Sequence, residues 1–406
     1  MPQARLAATA AISLVNRCER QAAVDAAHRA LAGSSWDDLG TFWQAVLALL
    51  YAGEVDAAHE QLERVQKRSG WEVSHPHRSA VTVLRARAAS LSGEPAVAAR
   101  LLSDALRRGV FPQFTEVAVA WAVLALADLG ELERGENLLF AFGFGHAIEK
   151  ASDRAEILAA RGVLREAAGR QQSAYEDFTA AGRVLVEWGV TNPAVIGWRS
   201  QAALCAAATE RRSLARSLAD DELLQARRWG TSHAIGSSLR AAALVSEDGR
   251  DIEMLTAAIG HLRRARARGT LLRTSYELGL KSALAGRVEE SRAALEEARE
   301  TARYLGSRVW VDRVDEASRR WVVTSAGKRL TTREREVLSL AQVGLGNREV
   351  AERLRLANST VEFHLSNIYR KLGISGRNEL RSILFPVSTD QTPRSVGDRE
   401  DPPART

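Results

Sequence analysis

Hydrophobic residues along most of this chain recur at the three- and four-residue spacing of amphipathic helices, and no region sustains the period-two alternation of strands. Short β-rich pieces such as Val309 to Val311 read as edges of helices. The helical pattern is itself repeated. AGEVDAAHEQL, SGEPAVAARLL, LGELERGENLL, AGRQQSAYEDF, ATERRSLARSL, DGRDIEMLTAA and AGRVEESRAAL align on Gly53, Gly93, Gly130, Gly169, Thr209, Gly249 and Gly286, at intervals of about 37 to 40 residues. Each aligned residue follows one Ala- and Leu-rich helix and precedes another, so it marks the turn of a helical hairpin. Glycine accepts the left-handed conformation that ends the first helix, and small residues such as Ala57 and Ala58 let the second helix lie close against it.

A lone hairpin cannot bury its apolar face, so the expected architecture is all-α, a stack of hairpins over residues 1–321. Period and pattern resemble the tetratricopeptide class, although its 34-residue consensus is not met; an irregular helical bundle is the alternative. Trp188, Trp198, Trp229 and Trp310 lie beside glycines or repeat junctions and are expected to act as packing wedges. The repeat stops near Val322, where VVTSAGK reads as a linker (322–327). A second domain (328–385) follows, and then a tail (386–406) rich in Pro, Ser, Thr, Asp and Arg that is expected to be disordered.

Within the second domain, Thr331 followed by Glu334 forms a capping box and opens a helix with Val337, Leu338, Leu340 and Ala341 inward. Gly344 and Gly346 end it. Asn347 is placed to cap a short second helix that buries Val350, Ala351 and Leu354. After a turn at Arg355 to Asn358, a third helix carries Val361, Leu365, Ile368 and Leu372 as one buried stripe, with Glu362, Phe363, Ser366, Asn367 and Arg370 on the opposite face. His364 borders the stripe and is expected to be a packed, hydrogen-bonded side chain. Two helices joined by a tight turn, the second with a polar outer face, is the layout of a helix-turn-helix DNA reader.

Charge supports that reading. The 406-residue chain carries a net +6, and between Lys328 and Leu384 eleven Lys and Arg stand against six Glu, so nearly all of the excess lies in this segment. Other chemistry is thinly represented. Cys18 and Cys205 are far apart in helical sequence, which offers neither a disulfide framework nor a metal spacing and fits a reducing cytoplasm. LAATAAISLV near the N-terminus runs straight into further helical sequence and does not read as a secretory leader, and no apolar run reaches the length needed to span a membrane. His75 and His77 flank Pro76, but two histidines without further ligands read as loop residues. No nucleophile and base are arranged for catalysis, and no cofactor is called for.

LTTREREVL, NREVAERL, STVEFHLSNIYRKLGI and SGRNEL together resemble the DNA-binding domain of the LuxR-type (GerE, NarL-like) bacterial transcription regulators, through roughly 55 residues. The resemblance implies a four-helix domain whose third helix, around Ser359 to Leu372, enters the major groove of double-stranded DNA, with the fourth helix commonly pairing two copies on two half-sites. It implies phosphate contacts from Arg348, Thr360, Arg370 and Lys371, and base-facing positions at Glu362, Phe363, Ser366 and Asn367. Arg333, Arg335 and Arg377 are open between phosphate contacts and salt bridges inside the domain. Two residues depart from the family pattern. Glu362 stands where a basic residue is frequent, and suits a cytosine amino group; Ala357 stands where a serine usually caps the helix, so Asn358 or Ser359 is expected to cap instead.

Neither a receiver domain nor a lactone sensor fits a chain without strands. A helical-repeat region ahead of a LuxR-type domain is similar to the large MalT-like (LAL) regulators, with the repeats binding a small inducer or a protein partner. Their ATPase module has no counterpart here, because GxxxxGK[ST] occurs nowhere; the chain reads as a shortened relative or as one whose upstream part is lost or separately encoded. The alternative function is a helical-repeat adaptor whose DNA domain is retained but weak.

Overall fold

Helices in this protein end in a recurring way. At seven of the described hairpin turns one residue takes a left-handed conformation and the next amide reaches back to a carbonyl five residues earlier; at an eighth Gly249 is left-handed (φ 75°). Gly53 (φ 78°) is followed by Glu54 N donating to Leu49 O at 2.9 Å, and Gly93 (φ 77°) by Glu94 N donating to Ala89 O at 2.9 Å. The same bond closes the turns after Gly130, Gly169 and Gly286. It satisfies the carbonyls that a helix end leaves open and turns the chain back on itself. At the fifth aligned position the structure corrects the register by one residue. Glu210 is left-handed (φ 62°), not Thr209, whose hydroxyl instead donates to Cys205 O at 3.0 Å, and Arg211 N then donates to Ala206 O. The first turn uses Cys18 (φ 63°), where no glycine marks it in the sequence.

The computed structural model describes residues 2–33, 38–67, 74–145, 148, 151–246, 249–328, 330–342 and 345–372. The helices are α1 (Pro2–Asn16), α2 (Arg20–Gly33), α3 (Leu39–Tyr51), α4 (Val55–Gln66), α5 (His75–Leu91), α6 (Pro95–Arg108), α7 (Thr115–Leu129), α8 (Leu132–Ala141), α9 (Arg154–Ala167), α10 (Gln171–Glu187), α11 (Trp198–Ala208), α12 (Arg212–Trp229), α13 (Ser232–Val245), α14 (Asp251–Arg264), α15 (Arg268–Leu284), α16 (Val288–Tyr304) and α17 (Arg308–Lys328), then α18 (Thr332–Gln342), α19 (Asn347–Leu354) and α20 (Asn358–Leu372). No strand occurs among the described residues. The fold is all-α, a tetratricopeptide-like helical-hairpin solenoid followed by a small helical unit, and the chain divides between Glu316 and Ala317. Residues 322–327, expected as a linker, are helical as part of α17, which has no proline to stop it and runs through Gly327. The expected fourth helix of the second domain and the tail lie outside the described residues.

In the first unit, consecutive hairpins pack through a small-residue core: Ala8, Ala45, Ala118, Ala160, Ala203 and Ala258 are fully buried. One 18-residue stretch, Pro112–Leu129, is long and apolar enough to cross a membrane by length and composition, which corrects the expectation that none is. Its residues from Ala118 to Val123 are buried in this core, with Trp121 1% exposed.

A second set of contacts joins parts of the chain far apart in sequence. The Asn192 amide donates to Val15 O (2.8 Å), the Trp229 indole to Tyr51 O (3.0 Å), Arg268 Nη1 to Ser92 O (3.0 Å) and the Ser307 hydroxyl to Leu129 O (2.8 Å), each across 176 to 178 residues. Hairpin turns of the first half thus rest on the inter-hairpin connections of the second, so one winding of the solenoid is stitched to the next. Trp229 is a wedge here, 1% exposed, as expected. Trp198 lies on the backbone at Gly182, which has no side chain to block it, and Trp310 meets Tyr276 edge-on at 5.7 Å. Trp188 does not fit that role, since it is 55% exposed.

Candidate nucleic-acid interface

The second unit is built around Leu330, Val337, Leu338 and Ala341, Val350 and Ala351, and Val361, Leu365 and Ile368. The inward residues of all three helices are therefore the ones their spacing predicted, apart from Leu372, whose side chain lies outside the described set. Its first helix opens on the expected capping box: Glu334 N donates to Thr331 Oγ1 (3.2 Å) and Thr331 N to Glu334 Oε2 (2.7 Å). The second helix is capped differently from expectation. Gly346, not Asn347, is the N-cap, and its amide donates to Glu349 Oε2 at 2.6 Å. Arg355 then takes the left-handed conformation (φ 52°), and Leu356 N returns to Ala351 O at 2.8 Å, which makes the turn between α19 and α20 a further copy of the turn that closes the hairpins.

Helix α20 begins with Ala357 at its N-cap, where only the carbonyl is available; it accepts from Thr360 N (3.0 Å) and Val361 N (3.2 Å). Asn358, one of the two residues expected to cap, donates its amide to Glu362 Oε1 at 3.2 Å instead. That bond fixes the Glu362 carboxylate near the start of the helix.

Along the outer face, Glu362, Phe363, Ser366 and Arg370 are exposed and Thr360 and Asn367 half-buried. Phe363 is 66% exposed, an unusual cost for an aromatic ring, and lies edge-on to the His364 ring at 6.2 Å. Arg370 Nη2 donates to Asn367 Oδ1 at 3.1 Å. Arg348, on α19, is fully in solvent with a 3.2 Å contact to Glu352, a pair that contributes little and can be exchanged for another anion.

For Lys371 the family resemblance implies a phosphate contact. Its ammonium sits 2.7 Å from both oxygens of Glu334, whose side chain is 5% exposed. Burial alone would raise the Glu334 pKa, but the Lys371 ammonium and the Thr331 amide and hydroxyl outweigh it and hold the carboxylate below its usual range. Lys371 therefore fastens α20 to α18. Arg333 does the same for α18 and α19, pairing with Glu336 (2.6 Å) and donating to Leu354 O (2.7 Å). Arg335 and Arg377 fall outside the described side chains. In the first unit, His75 contacts Gly109 O (3.1 Å) and His77 the Ser74 hydroxyl (2.7 Å), so both serve the start of α5.

The profile described as "Bacterial regulatory proteins, luxR family" matches residues 328–384. This segment is a LuxR-family domain. Over 61 residues it is 43% identical to the transcriptional regulatory protein LnrK of Bacillus subtilis (strain 168), which covers 14% of this chain and 28% of LnrK. Over 50 residues the chain is 42% identical to the HTH-type transcriptional regulator MalT of Vibrio campbellii, 12% of this chain and 6% of MalT. The chain thus matches well under a third of either relative's length. Among solved structures, a Rap protein complexed with Competence and Sporulation Factor superposes on 83% of this chain and 99% of its own, with a TM-score of 0.47 and 10% identity.

Proposed function

We propose that the protein is a sequence-specific, DNA-binding transcription regulator, not an enzyme, in which α20 enters the major groove. The observation that carries this is a polar outer face on a helix held firmly from behind, by the Val361, Leu365 and Ile368 stripe and by the Lys371–Glu334 pair. Glu362, Phe363, Ser366 and Asn367 meet base edges; Arg348, Thr360 and Arg370 hold phosphates, and Lys371 sets the angle of the helix. The protein works as a homodimer on two half-sites in the bacterial cytoplasm, and the hairpin unit receives the controlling ligand or protein.

A helical-repeat adaptor with weak DNA binding is the second reading, favoured by Glu362 on the reading face and by the withdrawal of Lys371 into an internal pair. Selection of bound sequences from a random DNA pool separates the two. A regulator returns a motif repeated at fixed spacing, with affinity that falls steeply as salt rises because phosphate contacts release counterions. An adaptor enriches nothing. Within a selected site, Arg370→Ala should weaken binding to all sequences about equally and Glu362→Ala should relax the preference at one base pair. Unchanged binding in both variants, measured by titration, would discard the assignment of this face.

A further inference from the structure

The hairpin unit has a half-open cavity of about 220 Å³ between its windings, reached by side chains of α5, α7, α9 to α13 and α15. A dry apolar cavity of roughly 150 Å³ holds benzene, so this one accommodates a molecule of about ten heavy atoms. Its walls are not apolar throughout. Arg240 and Arg273 reach it but are neutralised by Glu277 (2.5 Å) and Asp128 (2.9 Å). Arg87 is different: its Nε is buried without a hydrogen-bond partner, its guanidinium lies over the Trp121 ring at 5.0 Å, and the acid it faces across the cavity is Glu156, a carboxyl that burial pushes up to about 7 against the pull of Arg87. On another wall Glu222, 1% exposed, accepts from Ser200 N through Oε1 (3.1 Å), while Oε2 has no hydrogen-bond partner and lies 3.9 Å from Arg199. The Trp198 indole N–H, on a residue that lines the same cavity, is likewise buried and without a hydrogen-bond partner. Leaving a buried charged group unmet is costly, and such groups in a cavity mark what is designed to fill it.

We propose that this cavity is a binding site for a small zwitterion with an apolar body, its carboxylate on Arg87 and its ammonium on Oε2 of Glu222, where it competes with the long Arg199 contact. The apolar body lies along Leu124, Val163 and Leu204, which also line the cavity. A singly charged molecule would reach only one of the two groups. Burial pushes Glu222 up to about 7, so an ammonium beside it ionises the acid and binding below that pH releases a proton. A role for the site in controlling DNA binding rests on the regulator reading above; occupancy of the site does not.

The test is calorimetric titration of the full chain with four probes: leucine and 6-aminohexanoate as zwitterions, hexanoate and hexylamine as the singly charged controls. At least one zwitterion should bind more than about tenfold tighter than either control, with proton release at pH 6 read from the dependence of the heat on buffer. Arg87→Met should lose about tenfold for that zwitterion and nothing for hexylamine, and Glu222→Gln should lower proton release, leaving only what the other buried acid, Glu156, contributes. Ala159→Leu, which adds bulk to the cavity wall without touching either charge, should remove binding in a protein of unchanged helicity. Four probes that bind alike, or none that binds, overturn the proposal and leave a water-filled cavity. Operator occupancy is followed in the same samples. Zwitterion binding that leaves occupancy unchanged counts against control of DNA binding, whereas selective DNA binding without zwitterion binding counts against the site alone.

Discussion

At the residue scale, two carboxylates show how position decides what a charge does. Glu334 is nearly buried yet held ionised by Lys371, so the pair is strong only while both members are present. Lys371→Ala leaves the carboxylate facing a half-open interface, and should destabilise the second unit by about 1–2 kcal/mol, lowering its melting temperature by several degrees. Adding Glu334→Gln should recover part of the loss; a single substitution that melts like the wild type would restore Lys371 as a phosphate contact. Glu222 is the opposite case, because burial raises its pKa from 4.5 to about 7, and the hydrogen bond from Ser200 N and Arg199 at 3.9 Å offset that only in part. Below pH 4.5 the group is neutral in folded and unfolded chains and costs nothing. Between 4.5 and 7 the unfolded chain gives up its proton while the folded one retains it, so stability falls as pH rises, and the loss is complete above 7. Glu222→Gln should therefore stabilise the protein at pH 8 by roughly 2–3 kcal/mol and have no effect near pH 4.5, as read from denaturant midpoints. An equal gain at both pH values would exclude ionisation as the cause. The capping box at Thr331 and Glu334 was legible in the sequence because its partners lie three residues apart. Lys371 is 37 residues from Glu334, and nothing local distinguishes it from the exposed Arg370 beside it.

Elements were the most legible level, because each hairpin turn needs one residue in a conformation that glycine tolerates best. The one-residue slip at Thr209 has the same origin: where Glu210 takes the left-handed conformation, the marker is missing and the alignment settles on its neighbour. The missed N-cap at Gly346 follows similarly, since Asn347 is the better capping residue but the helix takes it as its first member. Turn chemistry and turn environment can be separated experimentally. Gly169 has nothing near its missing Cβ, whereas a Cβ on Gly93 would strike the Arg266 carbonyl and the Arg268 side chain. Gly169→Ala should cost about 1 kcal/mol, the strain of a left-handed alanine, and Gly93→Ala clearly more. Glu210→Gly should gain about 0.5–1 kcal/mol by relieving the same strain. Urea midpoints that fall equally for the two alanine variants would show that the contact at Gly93 is slack.

For the first unit as a whole, the hairpin period gives no sign that a turn in one half rests on a connection about 177 residues later, nor that Arg87 and Glu222 line one cavity. Both arise from the pitch of the winding, which accumulates from small angles between hairpins that no single sequence position encodes. The consequence is a difference in cooperativity. A solenoid whose hairpins touch only their neighbours behaves as a one-dimensional array, and a local defect loosens local structure. Here the Trp229 indole bonds to Tyr51 O, so a defect at α12 acts directly on the end of α3. Trp229→Phe keeps the ring in place but leaves that carbonyl unmet, a loss of about 1–2 kcal/mol. Amide hydrogen exchange locates where this loss is felt. If the windings unfold as one cooperative body, protection should drop by a similar factor in α3 and α13, although α4 to α12 separate them in the chain. A drop confined to α12 and α13 would mean that the second winding opens on its own, and that the cavity between them is a gate that opens without global unfolding.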